Sequence, residues 1–249
     1  MDNNFNTEID QKHKKDLVPI IPSGDSFLDT LLYGGFRTDL LYLLYGERKL
    51  LANILLKVCV NSQIILNTND NKVKVAFVDG FNRFNPYKLS KYAVSKRQNP
   101  SEMLRNILIT RAFTWEQMVE ILENKITQLD NVKVLIISGI TSMFEYDQNS
   151  FQDLNTAISG IKKVVEKLKP LIILTSSLNK YSEYKPEGGK IMSHFGNVLV
   201  LITEDERYVT YSLIQHPSLP ESSIKRRKSL KPKQKIKDLS RYKILDNFF

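Results

Sequence analysis

Cysteine is nearly absent from this chain: a single residue, Cys59, occurs in 249, so no disulfide framework can staple the fold. Cys59 lies within an apolar helical pattern formed by Leu51, Ile54, Leu55 and Val58 and reads as a small core residue. The three histidines, His13, His194 and His216, are scattered without metal-ligand spacing, so no metal site is expected. Ser176 and Ser177 have no sequence-level histidine and aspartate partners, which argues against nucleophilic catalysis. No apolar run comes near the roughly 20 residues of a membrane span. The polar, Asn-rich stretch from Met1 to Lys15 has none of the apolar character of a secretory signal. These absences lead to the expectation of a cytoplasmic, nucleoid-associated protein with no membrane partner. The only tryptophan, Trp115, is expected in the core.

What is present is an alternation of strand and helix patterns. Residues 1–16 read as a disordered lead-in, 17–220 as one folded core, and 221–249 as a basic disordered tail. Leu40 to Tyr45, Lys72 to Asp79, Asn106 to Thr110, Val132 to Ile137 and Leu171 to Thr175 read as strands. Several are continuous apolar runs suited to burial on both faces. Helices are expected from Leu51 onward, from Pro86 to Lys96, from Thr114 to about Leu129 and from Asn149 to Lys169. Thr114 and Gln117 make a capping-box arrangement at the start of the third. The last shows Leu154, Ile158, Ile161, Val165 and Leu168 at helical spacing. A hairpin closes the core, running from Asn197 to Thr203 and back from Tyr208 to Gln215. The class is therefore α/β, with a mostly parallel central sheet flanked by helices and an antiparallel hairpin at the end. No internal repeat is visible.

Charge is distributed unevenly. The formal net charge is +9, and residues 225–249 alone carry ten Lys/Arg against two Asp. The rest of the chain is nearly neutral. Lys225, Arg226, Arg227, Lys228, Lys231, Lys233, Lys235 and Lys237 are candidate phosphate contacts, with a salt-dependent and sequence-independent character. The alternative is a solubilising tail. Tyr242, Leu245, Phe248 and Phe249 end the chain with an aliphatic residue three positions before a Phe-Phe pair. That spacing resembles the peptide that binds the sliding clamp PCNA, with Tyr242 where such peptides carry glutamine. Exposed terminal aromatics are costly unless a partner buries them. Folding back onto the core is the rival.

The strand ending at Tyr45 leads into Gly46-Glu47-Arg48-Lys49-Leu50-Leu51-Ala52-Asn53, where a strand–turn–helix setting would suit a phosphate-binding G-x-x-x-x-G-K-[ST] loop. The second glycine, the lysine and the Ser/Thr of that motif are missing. Bulky Leu50 and Leu51 fall where backbone would approach phosphate. An offset set, Lys49 on phosphate with Asp79 or Glu47 on a metal, is one reading. Solvated helix-start residues and a strand-end carboxylate is the other.

Several segments in order carry a resemblance. Ser23-Gly24-Asp25 through Tyr33-Gly34-Gly35-Phe36 resembles a "TG…LD.LLGGG" entry. Val78-Asp79 through Phe84, Pro86 and Leu89 resembles "IDTE..F.P.RL". Asn106-Ile107 through Arg111-Ala112 resembles "NI.V.RA", and Gly188-Gly189 with Met192 and His194 resembles the segment after a DNA-binding loop. Together they resemble the core of the RecA/RadA recombinase superfamily, closest to archaeal and eukaryotic recombinase paralogs, over roughly residues 19–220. The resemblance implies a RecA-like core, and with it DNA and another RecA-like subunit as partners.

Against that family pattern, Ser138 stands where the magnesium-holding aspartate would be. Phe81 stands at the catalytic glutamate position, and Thr175-Ser176-Ser177 replaces a "TNQ" segment. Gly46, Glu47, Lys49, Asp79 and Ser138 would form a degenerate nucleotide site. The resulting expectation is a protein that is not an enzyme, holds no cofactor, and acts as an accessory in homologous recombination or repair. The competing expectation is a divergent ATPase whose ATP binding is weak or depends on a partner.

Overall fold

A computed structural model describes residues 18–68, 71–145 and 147–228. Ile20–Ile21 (β1) pairs antiparallel with Phe36–Arg37 (β2) across the short helix Ser26–Leu31 (α1). Leu41–Gly46 (β3) then leads into Arg48–Leu66 (α2), and Lys74–Asp79 (β4) into Pro86–Ser95 (α3) and Pro100–Arg105 (α4). Ile107–Arg111 (β5), Trp115–Glu120 (α5), Val132–Ser138 (β6), Gln148–Leu168 (α6), Leu171–Ser176 (β7) and Gly189–Phe195 (α7) continue the alternation. Val198–Glu204 (β8), Tyr208–Gln215 (β9) and Ser222–Arg227 (β10) complete the described chain.

The eight strands β3 to β10 form one sheet in the order β10-β9-β8-β3-β7-β6-β4-β5. From β8 to β5 all neighbours are parallel, whereas β9 and β10 add antiparallel. The apolar runs read as doubly buried strands occupy the middle. Leu43, Leu135, Ile137 and Leu174 pack on one face with α5, α6 and α7. Leu44, Ile136, Ile173 and Val200 pack on the other with α1, α2 and α3. Covering both faces is what a parallel sheet requires. Trp115 lies in the first of these layers as expected, and its Nε1 donates to Asp153 at 3.1 Å.

Four expectations need correction. The disordered tail expected from 221 does not begin there, because Ser222–Arg227 pairs with β9 along its whole length and forms a strand of the sheet. Its Ser-Ser-Ile-Lys-Arg-Arg pattern reads as solvated tail, since only one edge and one face of it meet protein. The helix expected from Thr114 to Leu129 is regular only to Glu120; a wide turn, Ile121–Lys125, and a tight turn, Ile126–Gln128, follow. There the Leu122 carbonyl lies so close to Gly160 of α6 that no side chain fits between them. Of the capping box, Thr114 does accept from the Gln117 amide, but the Gln117 side chain reaches back to the Phe113 amide at 2.9 Å.

The fourth correction concerns membranes. α2 is long and apolar enough, by length and composition alone, to cross one. Most of its length is buried in the core, from Leu51 to Gln63, and it is the central helix of the fold.

Candidate nucleotide and nucleic-acid site

In open parallel α/β sheets the carboxyl ends of the strands form the usual ligand crevice. Here the ends of β3, β7, β6 and β4 bring together Gly46, Ser176, Ser138 and Asp79 in adjacent register. The chain turns from β3 into α2 within one residue. Gly46 has φ +116°, and a side chain there would collide with the Ile202 carbonyl, so glycine is required. Glu47 donates its amide to that carbonyl at 2.9 Å and its carboxylate accepts the Lys49 amide at 3.1 Å, capping α2. The helix N-terminus, where an anion would be favoured, thus already meets a carboxylate of the chain itself. Leu51 is fully buried in the core beneath it.

Arg48 turns the other way. Its Nη2 donates to Ser177 Oγ at 2.8 Å, and its guanidinium lies 5.2 Å from the Phe81 ring centre. Phe81 in turn covers Gly139, where any side chain would strike the ring. Beside Ser177, Glu187 is 5% exposed. Burial raises its carboxyl above the usual range, opposed by hydrogen bonds with Ser177 and Thr141 and by the charges of Arg48 and Lys180.

Asp79 is completely buried, accepts from the Arg83 amide at 3.1 Å and the Phe84 amide at 2.9 Å, and lies 3.6 Å from Arg111 Nε. It is the anchor of the 80–85 turn. The Ser138 hydroxyl is buried and is the one side-chain polar atom of that kind without a partner among the described residues. The Thr175 hydroxyl accepts the Gly139 amide at 2.8 Å. Of the five residues expected to form a site, Gly46, Glu47, Asp79 and Ser138 therefore gather at one end of the sheet. Lys49 lies instead on an exposed pocket wall with Asn53, Arg83 and Lys88. These groups do not fit a magnesium–nucleotide held by this chain alone: the carboxylate is committed to backbone amides and the helix terminus to Glu47. Among the described residues no group of three or more His, Cys, Asp or Glu converges as a metal site.

The expected DNA contacts divide. Lys225, Arg226, Arg227 and Lys228 belong to β10 and its end. Arg226 is committed to the fold: Nη1 reaches Asp25 at 2.8 Å, and the guanidinium lies 5.5 Å from the Tyr211 ring and 5.9 Å from Phe27. Lys228 pairs with Glu204 at 2.7 Å. Lys225 and Arg227 are exposed. Lys231, Lys233, Lys235, Lys237 and the clamp-type residues Tyr242, Leu245, Phe248 and Phe249 lie outside the described residues.

Sequence reasoning passed over a loop at the same end of the sheet. Between β7 and α7, Leu178 bridges Pro186 and the Asn179 amide donates to Lys185 O, so the segment folds back on itself. It presents Tyr181 (86% exposed) and Tyr184 (69%), with Lys180 and Lys185 exposed beside them. The interleaved Lys-Tyr and Tyr-Lys pairs were the available signal, because stacking rings beside cations suit single-stranded nucleic acid.

A doubly covered, mainly parallel sheet with its chemistry gathered at the strand ends defines a RecA-like core. The chain matches the Rad51 family over residues 13–229 and belongs to that family. It is similar to a meiotic recombination protein DMC1 homolog of Glycine max, 24% identical over 228 residues, covering 84% of this chain and 66% of that protein. The DNA repair protein RAD51 homolog 1 of Arabidopsis thaliana is 24% identical over 224 residues, covering 81% and 65%. The meiotic recombination protein DMC1 of Saccharomyces cerevisiae is 22% identical over 224 residues, covering 81% and 66%. The chain thus spans 65% to 66% of the length of these relatives. They overturn one expectation, that this protein is not an enzyme. That expectation rested on missing motif residues alone, whereas the relatives matched over most of the chain are recombinases.

Proposed function

We propose that this Rad51-family protein works in homologous recombination as an accessory to another RecA-like subunit, with nucleotide handled at the boundary between the two. The carrying observation is the pairing of a rebuilt strand-end site with an apolar sheet edge that no other strand covers among the described residues. At the site, Glu47 caps α2 and Arg48 spans Ser177 and Phe81. The outer strand β5 exposes Leu108 (38%) and Ile109 (44%), with Phe113 (63%) just beyond. An uncovered apolar edge is suited to receive a strand from a partner. No resident cofactor belongs to this reading, and ATP enters as a substrate completed by partner groups.

DNA is reached through the loop carrying Tyr181 and Tyr184, through the exposed Lys225 and Arg227, and through Lys231, Lys233, Lys235 and Lys237, with PCNA recruited by Leu245, Phe248 and Phe249. The setting is the cytoplasm, at the nucleoid. The central test is ATP turnover by the chain alone, by a Rad51-type recombinase alone, and by the mixture on DNA. The expected result is a rate in the mixture above the sum of the two. Equal turnover by the chain without partner would overturn the shared site. For the tail, a clamp pull-down should fail when Leu245, Phe248 and Phe249 become Ala; retained capture would remove PCNA from the reading.

A further inference from the structure

α2 and α3 lie side by side on one face of the sheet, and their own residues are basic with no acidic member, the nearest pocket carboxylates being Asp25 beside Lys57 and Asp29 beside Lys96. Residues 48–66 carry Arg48, Lys49 and Lys57 and no acidic residue; residues 80–101 carry Arg83, Lys88, Lys91, Lys96 and Arg97 and again none. Arg111 and Arg226 on the flanking strands find carboxylates, but among the described residues none of these eight enters an ion pair. Lys57 and Lys96 lie 5.8 and 5.5 Å from the Tyr92 ring centre, and Lys57 also donates to the Gly24 carbonyl at 2.7 Å.

Lys49, Arg83 and Lys88 are left around a pocket of about 230 Å³ whose other polar walls are the amides of Asn53, Asn82 and Asn85. The pocket contains no carboxylate. It is also preorganised. Asp79 grips the backbone of the 80–85 turn, Asn82 holds a left-handed φ of +53°, and the Asn85 side chain caps α3. Lys88 Nζ rests on Asn53 Oδ1 at 3.3 Å. Keeping like charges around one pocket that holds no carboxylate costs folding stability, and a polyanion would offset that cost.

We infer that this α2–α3 face is a nucleic-acid backbone site, with the Lys49–Arg83–Lys88 pocket seating a phosphate. The inference rests on the recombination reading, since DNA is the polyanion that reading supplies. It assigns the contact to α2, α3 and the turn between β4 and α3, next to the strand-end residues Glu47 and Asp79 that hold the Lys49 and Arg83 amides, and not to the lysines beyond residue 228. Charge complementarity and the pocket's size select the occupant. The pocket admits one phosphate group with cations and amide donors on several sides. Lys91, roughly one turn further along α3 from Lys88, continues the basic track beyond the pocket. Contacts of this kind set affinity and register and carry no base sequence.

The test uses the full chain without nucleotide and fluorescence anisotropy on labelled single- and double-stranded 40-mers from 50 to 200 mM salt. The variants are Lys49→Ala/Arg83→Ala/Lys88→Ala, the charge-keeping Lys49→Arg/Lys88→Arg, and Lys231→Ala/Lys233→Ala/Lys235→Ala/Lys237→Ala in the tail. The pocket triple variant should lose at least tenfold in affinity at 50 mM salt. Its slope of log affinity against log salt should fall by about 1, near 0.9 for the one duplex phosphate that is no longer neutralised. The Arg variant should bind as wild type does, and a cooperative melt at or above the wild-type temperature would establish that the triple variant is folded. Wild-type affinity and slope in the triple variant would overturn the inference while DNA binding stands. Loss confined to the tail variant would do the same. Absence of DNA binding by the unmodified chain would remove the recombination reading and the inference together. Displacement by a poly-glutamate peptide as effective as by DNA of equal charge would assign the face to an acidic protein instead and overturn it.

Discussion

The two outer strands of the sheet are opposites. β5 offers solvent a row of Ile, Leu and Thr, with Leu108 and Ile109 among the exposed large hydrophobics. β10 offers Ser222, Ser223, Lys225 and Arg227. Among the described residues both edges carry unpaired backbone groups, so both could template another strand. Charge on β10 discourages that, and its one inward-reaching cation, Arg226, ties the edge to Asp25 and Tyr211. The one cation of β5, Arg111, lies at its end and pairs with Asp79, so Leu108 and Ile109 stand without a guarding charge beside them. One edge is built to end the sheet and the other is built to be continued.

The largest expected effect breaks that contrast at β5. Leu108→Glu with Ile109→Lys should give the second edge the character of the first and weaken association with a RecA-like partner by about a thousandfold, roughly 4 kcal/mol. Circular dichroism melting should be unchanged, and association by analytical ultracentrifugation at wild-type strength would show that β5 is not the docking edge.

Next comes the anchor behind β5. Asp79→Ala orphans two buried amides and releases Arg111, at a cost of about 3 kcal/mol and a melting temperature lower by roughly 6 to 12 °C for a chain of this size. A drop of less than about 2 °C would mean that water replaces the carboxylate.

At the other edge, Arg226→Ala should cost about 2 kcal/mol, because one charged hydrogen bond is lost and the side chain is partly solvated. Hydrogen exchange should accelerate along β10 and leave β5 unaffected; equal acceleration at both edges would deny the separation between them.

A change at the strand ends, remote from both edges, sharpens the comparison most gently. Burial raises the Glu187 carboxyl in the folded protein. The protonated acid is therefore favoured by folding, and this contribution is complete below its ordinary value and lost as pH rises through the raised one. Glu187→Gln should melt with wild type near pH 4 and slightly above it at pH 7, by less than Asp79→Ala or Arg226→Ala moves the melting temperature. A difference of equal size at both pH values would point to packing rather than charge.

Legibility in the sequence followed burial. The central strands were readable because burial on both faces turns them into unbroken apolar runs. β3, β4, β6 and β7 lie within one or two residues of their expected bounds. The long helix α6 was readable by its periodicity. β10 was not, since an edge strand packed on little has no apolar pattern to betray it, and its Lys-Arg content imitates a tail. Asp79 shows the same limit at the site. Its residue type suits a metal ligand, and only the fold of the following five residues turns its oxygens toward two amides.

Local pattern and composition alone therefore dictated the α/β class, the order of the central elements, the turn at Gly46 and the uneven charge, because each depends on neighbours along the chain. Tertiary structure decided which edge is guarded, which carboxylate is spent on the backbone, and that cations from α2, from the β4–α3 turn and from α3 meet around one pocket. Those outcomes depend on pairings between segments up to about two hundred residues apart, Asp25 with Arg226 being the longest of them. No local pattern encodes such a pairing, because its free energy exists only once the sheet has brought the two ends together.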